Sequence, residues 1–160
     1  MIVVADSEGA ADRLRAGVLS CPACAGRLRP YGHARSRSVR GLDGTRVTAR
    51  PRRARCGDCR ATQVLLPVTM ACRRADSTEV IGHALAAKAA GVGFRAIAAR
   101  LGRPAATVRA WLRRAGPEHA HWLYRQAVQH CARVDRELLV HPACLPTMLA
   151  TALNLLAGAA

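Results

Sequence analysis

Four cysteines constrain this chain more than any other feature. They form two Cys-x-x-Cys pairs, Cys21-Pro-Ala-Cys24 and Cys56-Gly-Asp-Cys59, with 31 residues between them. Two residues between thiols let a tight turn aim both sulfurs at one point. Two such turns brought together can enclose one tetrahedral ion with zinc–sulfur distances near ~2.3 Å. The set predicts a closed structural Zn2+ site with Cys21, Cys24, Cys56 and Cys59 as ligands and no open position for catalysis. Residues 25 to 55 carry almost no apolar core, so metal binding is expected to hold that segment together. A redox dithiol, unlinked buried cysteines, or iron in the same cage are the alternatives. His33, between the pairs, is a spare donor that four thiolates leave unneeded. Pro22 stiffens the first turn, and Gly26 and Gly57 ease backbone approach to the sulfurs. Ala25 and Arg60 depart from the pattern, because glycine often follows the second cysteine of such turns.

Seven cysteines make a poor disulfide framework when two tight pairs leave three scattered, Cys72, Cys131 and Cys144. Residues 1 to 17 carry Asp6, Glu8 and Asp12 and lack the apolar stretch of a secretory signal. A reducing, cytoplasmic setting follows as the expectation. The apolar segment 145–160 falls short of the ~20 residues that span a bilayer, so no membrane association is expected. The net charge is +15, from 25 Lys+Arg against 10 Asp+Glu. Lys88 is the single lysine. Base composition of a genome can explain arginine over lysine but not the shortage of acids, so a polyanionic partner is expected.

The fold class predicted is small α+β: an N-terminal zinc-ribbon β-hairpin unit, then an all-α helix-turn-helix bundle and C-terminal helices. Residues 1–20 read as a poorly specified lead-in with at most a helical turn near Ala11 to Ala16. Residues 21–67 form the ribbon, with β-compatible runs at 36–40, 46–50 and 62–66 and a hairpin tip at Asp43-Gly44. After a connector, Asp76-Ser77-Thr78-Glu79 has the form of a capping box with Asp76 as the cap, starting a helix that ends near Gly91. Residues 76–116 form the helix-turn-helix domain. In the segment 117–160, Leu123, Ala127, Cys131, Val134 and Leu138 share one helical face, and a last apolar helix covers 145–156.

The stretch from Phe94 to Leu112 reads as a helix-turn-helix. Ala98 suits a close helix crossing, Gly102 suits a positive-φ turn, and Val108, with Trp111 or Leu112, packs against Ile97 and Leu101. A plain α-helical hairpin is the alternative. On this reading 105–114 is a recognition helix with Pro104 in its first turn. Its outward face presents Thr107, Arg109, Arg113 and Arg114. Arg109 is placed for a bidentate contact to guanine and Arg113 and Arg114 for phosphate. Arg95, Arg100 and Arg103 sit on or just after the preceding helix. The ribbon adds a basic hairpin, Arg35, Arg37, Arg40, Arg46, Arg50, Arg52, Arg53 and Arg55, as a second grip blind to sequence; a merely solvated charged hairpin is the alternative.

Zinc ribbon, basic hairpin, connector and helix-turn-helix, in that order, resemble the N-terminal DNA-binding region of insertion-sequence transposases. They also resemble a bacterial family of small zinc-ribbon plus helix-turn-helix proteins. Cys21-Pro-Ala-Cys24, Tyr31-Gly32-His33, Arg55 to Arg60, Asp76 to Ile81 and Ile97 to Leu112 carry the resemblance, over about residues 20 to 115. It implies metal-stabilised binding to double-stranded DNA at transposon ends or promoters. A transposase also needs three carboxylates on a mixed sheet for two metal ions. After residue 115 only Glu118, Asp135 and Glu137 are acidic, so no enzyme activity is expected. The other functional reading is a protein-interaction module that docks partners through the C-terminal helices. Those helices also offer a homodimer face, which would suit a palindromic site.

Overall fold

The computed structural model describes residues 1–116, together with 118, 119 and 121. The chain divides into two units, Met1–Val80 and Ile81–Ala160. Among the described residues the protein is a small α+β protein with two β-sheets and four helices.

The first unit is built on a four-stranded sheet of β1 (Ile2–Val4), β2 (Leu28–His33), β5 (Arg52–Cys56) and β6 (Thr62–Pro67), in the order β1-β6-β5-β2. β1 runs parallel to β6, and the other neighbours are antiparallel. Side chains alternate across a strand, and this sets the two faces. Leu28, Ala54, Cys56 and Leu65 point into a core completed by Val4, Ala10, Leu14, Leu19 and Cys21. Ala10 and Leu14 come from helix α1 (Ser7–Arg15), whose N-cap Asp6 accepts the Gly9 N–H at 2.6 Å.

The first twenty residues are therefore an integral part of this unit. A three-residue strand is too short to show a period, which is why the sequence pattern alone does not reveal β1. The Asp6 cap is the signal that could have extended the expected helical turn to α1. The core that residues 25 to 55 lack is supplied from this N-terminal stretch.

The expected hairpin is present as a separate two-stranded sheet of β3 (Arg37–Arg40) and β4 (Arg46–Ala49). Its turn runs through Asp43-Gly44: Gly44 takes φ +79°, and the Gly41 N–H donates to the Thr45 carbonyl at 2.8 Å. The Asp43 carboxylate accepts the Thr45 hydroxyl and backbone N–H, and these bonds hold its pKa below the usual value. Val39 packs with Leu66 and Met70 in a second small cluster. Leu65 and Leu66 thus bury opposite faces of β6, one toward α1 and one toward the hairpin.

Helix α2 (Thr78–Ala89) starts at the end of the first unit. Its cap differs from the expected box. The Val80 N–H is accepted by Ser77 Oγ at 3.3 Å, so Ser77 is the capping residue. Asp76 is buried and paired with Arg40 instead: Arg40 Nη2 donates to Asp76 Oδ2 at 3.2 Å. Arg40 Nε also lies 3.2 Å from Oδ1 but without hydrogen-bond geometry, so the pair is one hydrogen bond and one charge contact rather than a full fork. Backbone bonds from Arg40 N–H to the Ala75 carbonyl and from Ser77 N–H to the Arg40 carbonyl reinforce it.

In the second unit α2 ends in a glycine turn, with Gly91 at φ +85°. Helices α3 (Phe94–Leu101) and α4 (Ala105–Arg114) pack on each other across the turn 102–104. Ile97, Ala98, Val108 and Trp111 are buried, while Leu101 and Leu112 are half-buried. Gly102 caps α3 in the left-handed conformation, φ +60° and ψ +39°. Pro104 stands at the N-cap of α4 rather than in its first turn. The expected helices beyond residue 116 lie outside the described residues, apart from positions 118, 119 and 121.

Removing the buried carboxylate leaves the Arg40 guanidinium without its anion. Asp76→Ala is expected to lower stability by about 2–4 kcal/mol, read as the urea midpoint of the full chain. Arg40→Met with Asp76→Leu is expected to recover most of it, because an apolar pair leaves no buried charge.

Candidate metal centre

Each cysteine pair sits on a tight turn joined to the main sheet. The first turn is closed by the Ala25 N–H donating to the Cys21 carbonyl at 2.8 Å and the Cys21 N–H donating to the Gly26 carbonyl at 2.8 Å. The second is closed by the Cys56 N–H donating to the Ala61 carbonyl at 2.9 Å. β2 leaves the first turn, β5 enters the second, and Leu28 pairs with Cys56 in register. The β2–β5 ladder therefore brings the turns together. The arginine-rich β3–β4 hairpin does not; it is an insertion between the two strands that do.

The Sγ atoms of Cys21, Cys24, Cys56 and Cys59 all lie within 4.8 Å of one another. Two edges of the cluster are shorter: Cys21 to Cys59 is 3.6 Å and Cys24 to Cys56 is 3.5 Å. A tetrahedron with sulfurs ~2.3 Å from a central zinc has edges of ~3.8 Å. The cluster has the size of such a cage. Cys21 and Cys56 belong to the apolar core, and Cys24 and Cys59 are exposed. The centre therefore fastens the end of the core. These four residues are close enough to hold a metal ion. His33, on β2, is exposed and stands outside the cluster.

The electrostatics suit a cation. At Cys56 burial works against ionisation. The N–H groups of Cys59 and Asp58 and the thiols of Cys24 and Cys59 outweigh it, and the pKa falls to about 7. At Cys59 the Ala61 N–H favours the thiolate, but the Cys24 sulfur, burial, and the sulfurs of Cys21 and Cys56 prevail and push the value to about 12. Backbone dipoles are aimed at sulfur, yet four neighbouring thiolates cannot coexist without a positive ion. A bound divalent cation would remove that conflict.

Ala25 (φ +59°) and Arg60 (φ +62°) are both left-handed, one after each second cysteine. The two turns are thus alike, and the missing glycines are tolerated as local strain. Gly26 is required for a different reason: a Cβ there would overlap the Asp58 carboxylate and come within 3.0 Å of Cys56 Sγ. Gly57 has no such role, since its Cβ would meet nothing closer than 3.8 Å. Cys72 is free and exposed. Cys131 and Cys144 lie outside the described residues.

The arginines expected to face a polyanion do not form one group. Arg40 is committed to Asp76. Arg52 donates from Nε to the Ser7 carbonyl at 3.3 Å, tying β5 to the start of α1. Arg52, Arg53 and Arg55 lie on β5, not on the hairpin. Arg35, Arg37, Arg46 and Arg50 are exposed. In the second unit Arg95, Arg100, Arg109, Arg113 and Arg114 are exposed and Thr107 is half-buried. Arg95 and Arg109 both approach the Phe94 ring, at 5.2 and 5.9 Å from its centroid. Arg103 donates to the Leu101 and Gly102 carbonyls at 3.0 and 3.3 Å, closing the end of α3.

The described residues define a small α+β protein with a four-cysteine, metal-competent centre in its strand region. The chain belongs to a family described as a domain of unknown function (DUF6431), whose model matches residues 21–111. No curated protein and no solved structure matches it. Among the described residues no helix is long and apolar enough to cross a membrane.

Serine at any one of the four clustered positions is expected to lower the thermal midpoint of the first unit by at least several degrees and to weaken metal retention at least tenfold. Cys72→Ser is expected to change neither. Thermal melts with and without chelator, together with metal analysis, check both. Glycine at the strained turn positions acts in the opposite sense: Ala25→Gly and Arg60→Gly are each expected to stabilise the metal-bound protein by about 0.5–1 kcal/mol. Gly26→Ala is expected to disrupt the centre.

Proposed function

We propose that this protein is a zinc-stabilised, helix-turn-helix DNA-binding protein, a transcription regulator or a transposase-related binding module without catalysis of its own. The observation that carries the reading is the α3–turn–α4 pair. It buries Ile97, Ala98, Val108 and Trp111 and leaves Arg109, Arg113 and Arg114 on the exposed side of α4. The N-terminal turn of α4 holds the small exposed residues Ala105 and Ala106 beside Thr107, so a groove floor can approach its backbone closely. Arg109 is the base-reading residue of this account, held in place against Phe94. Arg113 and Arg114 contact phosphate, and Arg95 and Arg100 contact the flanking backbone. Arg103 serves the turn itself.

Zinc is the metal of choice for four thiolates at this spacing in a closed structural site. In the first unit Arg35 and Arg37 remain candidates for phosphate contact, whereas Arg40 and Arg52 are withdrawn because each holds an internal partner. A cytoplasmic location and the reducing conditions it provides are consistent with reduced thiols. The net charge of +15 supports a strongly salt-dependent affinity.

Selection of duplexes from a random pool, followed by titration at several salt concentrations, tests the reading. Arg109→Ala is expected to cost about 1–3 kcal/mol on the selected site and to relax preference at one base position. Arg113→Ala is expected to weaken all duplexes alike and to reduce the salt slope by about 1. Affinity for duplex that does not change with salt contradicts the proposal.

A further inference from the structure

One face of the main sheet is not accounted for by the metal centre or by α4. Strand alternation puts Leu28, Ala54 and Cys56 inside, and so puts Arg29 and Tyr31 of β2 and Arg53 and Arg55 of β5 on the opposite face. On β6 the same face carries Thr62 and Val64, paired with Arg55 and Arg53, followed by Leu66. At the Leu66 end the face is closed by Val39 and Met70. At the other end it is open. Toward the Leu66 side β2 is irregular: its register shifts between Pro30 and His33, and Gly32 takes φ +68°.

Tyr31, one residue before Gly32, is 46% exposed. The guanidiniums of Arg53 and Arg55 each stand 5.3 Å from its ring centroid, and Arg55 is further fixed by donating from Nε to the Arg60 carbonyl at 3.2 Å. Beside the ring, and bordering the metal centre at Cys56, is a hollow of about 450 Å³ lined also by Arg29, Tyr31, Arg55, Asp58 and Arg60. An exposed aromatic ring beside two cations is an unusual use of the sequence, since the chain has only two tyrosines. A duplex backbone needs the charges but has no use for the ring. An unpaired base needs both: a planar π surface or a guanidinium plane to stack on, and cations for the adjoining phosphates. Asp58, an acceptor only, suits the amino group of a base better than it suits a phosphate.

We propose that this sheet face binds single-stranded nucleic acid, with an unstacked base seated against Tyr31 and its flanking phosphates on Arg29, Arg55 and Arg60. The site goes beyond groove binding by α4 and is independent of it. The test is anisotropy titration of the full-length, metal-loaded protein with labelled strands of about ten nucleotides, a length within the range such platforms occupy. The strands are a normal single strand, the same backbone made abasic, and the duplex. The wild-type protein is expected to bind the normal strand about 5- to 100-fold more tightly than the abasic one. Tyr31→Ala is expected to abolish that difference and leave duplex affinity unchanged, while Tyr31→Phe retains it. Arg109→Ala is expected to affect the duplex alone, so failure of one site is distinguishable from failure of the other. Equal wild-type affinity for normal and abasic strands would show a phosphate contact only and overturn the proposal. So would unchanged discrimination in Tyr31→Ala.

Discussion

The meeting of Cys21 and Cys24 with Cys56 and Cys59 fixes the topology of the first unit. Once these turns converge, the strands beside them are committed: β2 leaves one turn, β5 enters the other, and their ladder runs from Leu28 opposite Cys56. β6 then adds to β5, and β1 closes the far edge in parallel. The apolar core lies directly behind the sulfurs, because Cys21 and Cys56 are themselves part of it. The sulfur cluster and the apolar core are in this way two ends of one layer. Neither is large alone in a unit of this size.

Arginine carries several jobs in this protein, and its abundance hides the division. Arg40 neutralises a buried carboxylate, Arg52 ties a strand to a helix, and Arg103 closes a helix end. Arg53 and Arg55 hold an aromatic ring. Among the described residues others, such as Arg37 and Arg46 on the β3–β4 hairpin, Arg29 and Arg60 beside the main sheet and Arg113 and Arg114 on α4, are exposed. Charge counted from composition therefore overstates the surface open to a polyanion, although a large excess persists.

Much of the fold was legible in the sequence because the signals were local. The cysteine spacing, the Asp43-Gly44 turn and the Gly102 turn each act over a few residues, and each appears at the expected place. The misreadings concern contacts between distant residues. Asp76 has the spacing of a helix cap, but a cation 36 positions earlier competes for its carboxylate and Ser77 takes the cap. β1 is recruited by β6, more than sixty residues away, and nothing within Ile2 to Val4 announces this. The basic segment 35–55 reads as one hairpin because arginine is uniform along it, whereas Pro51 separates two sheets. Tyr31 was visible in the Tyr31-Gly32-His33 step, but its setting beside two guanidiniums depends on a strand pairing no local pattern reveals.

The central expectation is one ion bound by four sulfurs. Titration of the reduced, metal-free chain with Co2+, followed by absorption spectroscopy, measures this directly. The prediction is saturation at one equivalent, with the charge-transfer and ligand-field bands of a tetrahedral tetrathiolate site, lost stepwise when Zn2+ is added. Absence of uptake, or an octahedral spectrum without sulfur charge transfer in a chain that remains folded, would contradict it.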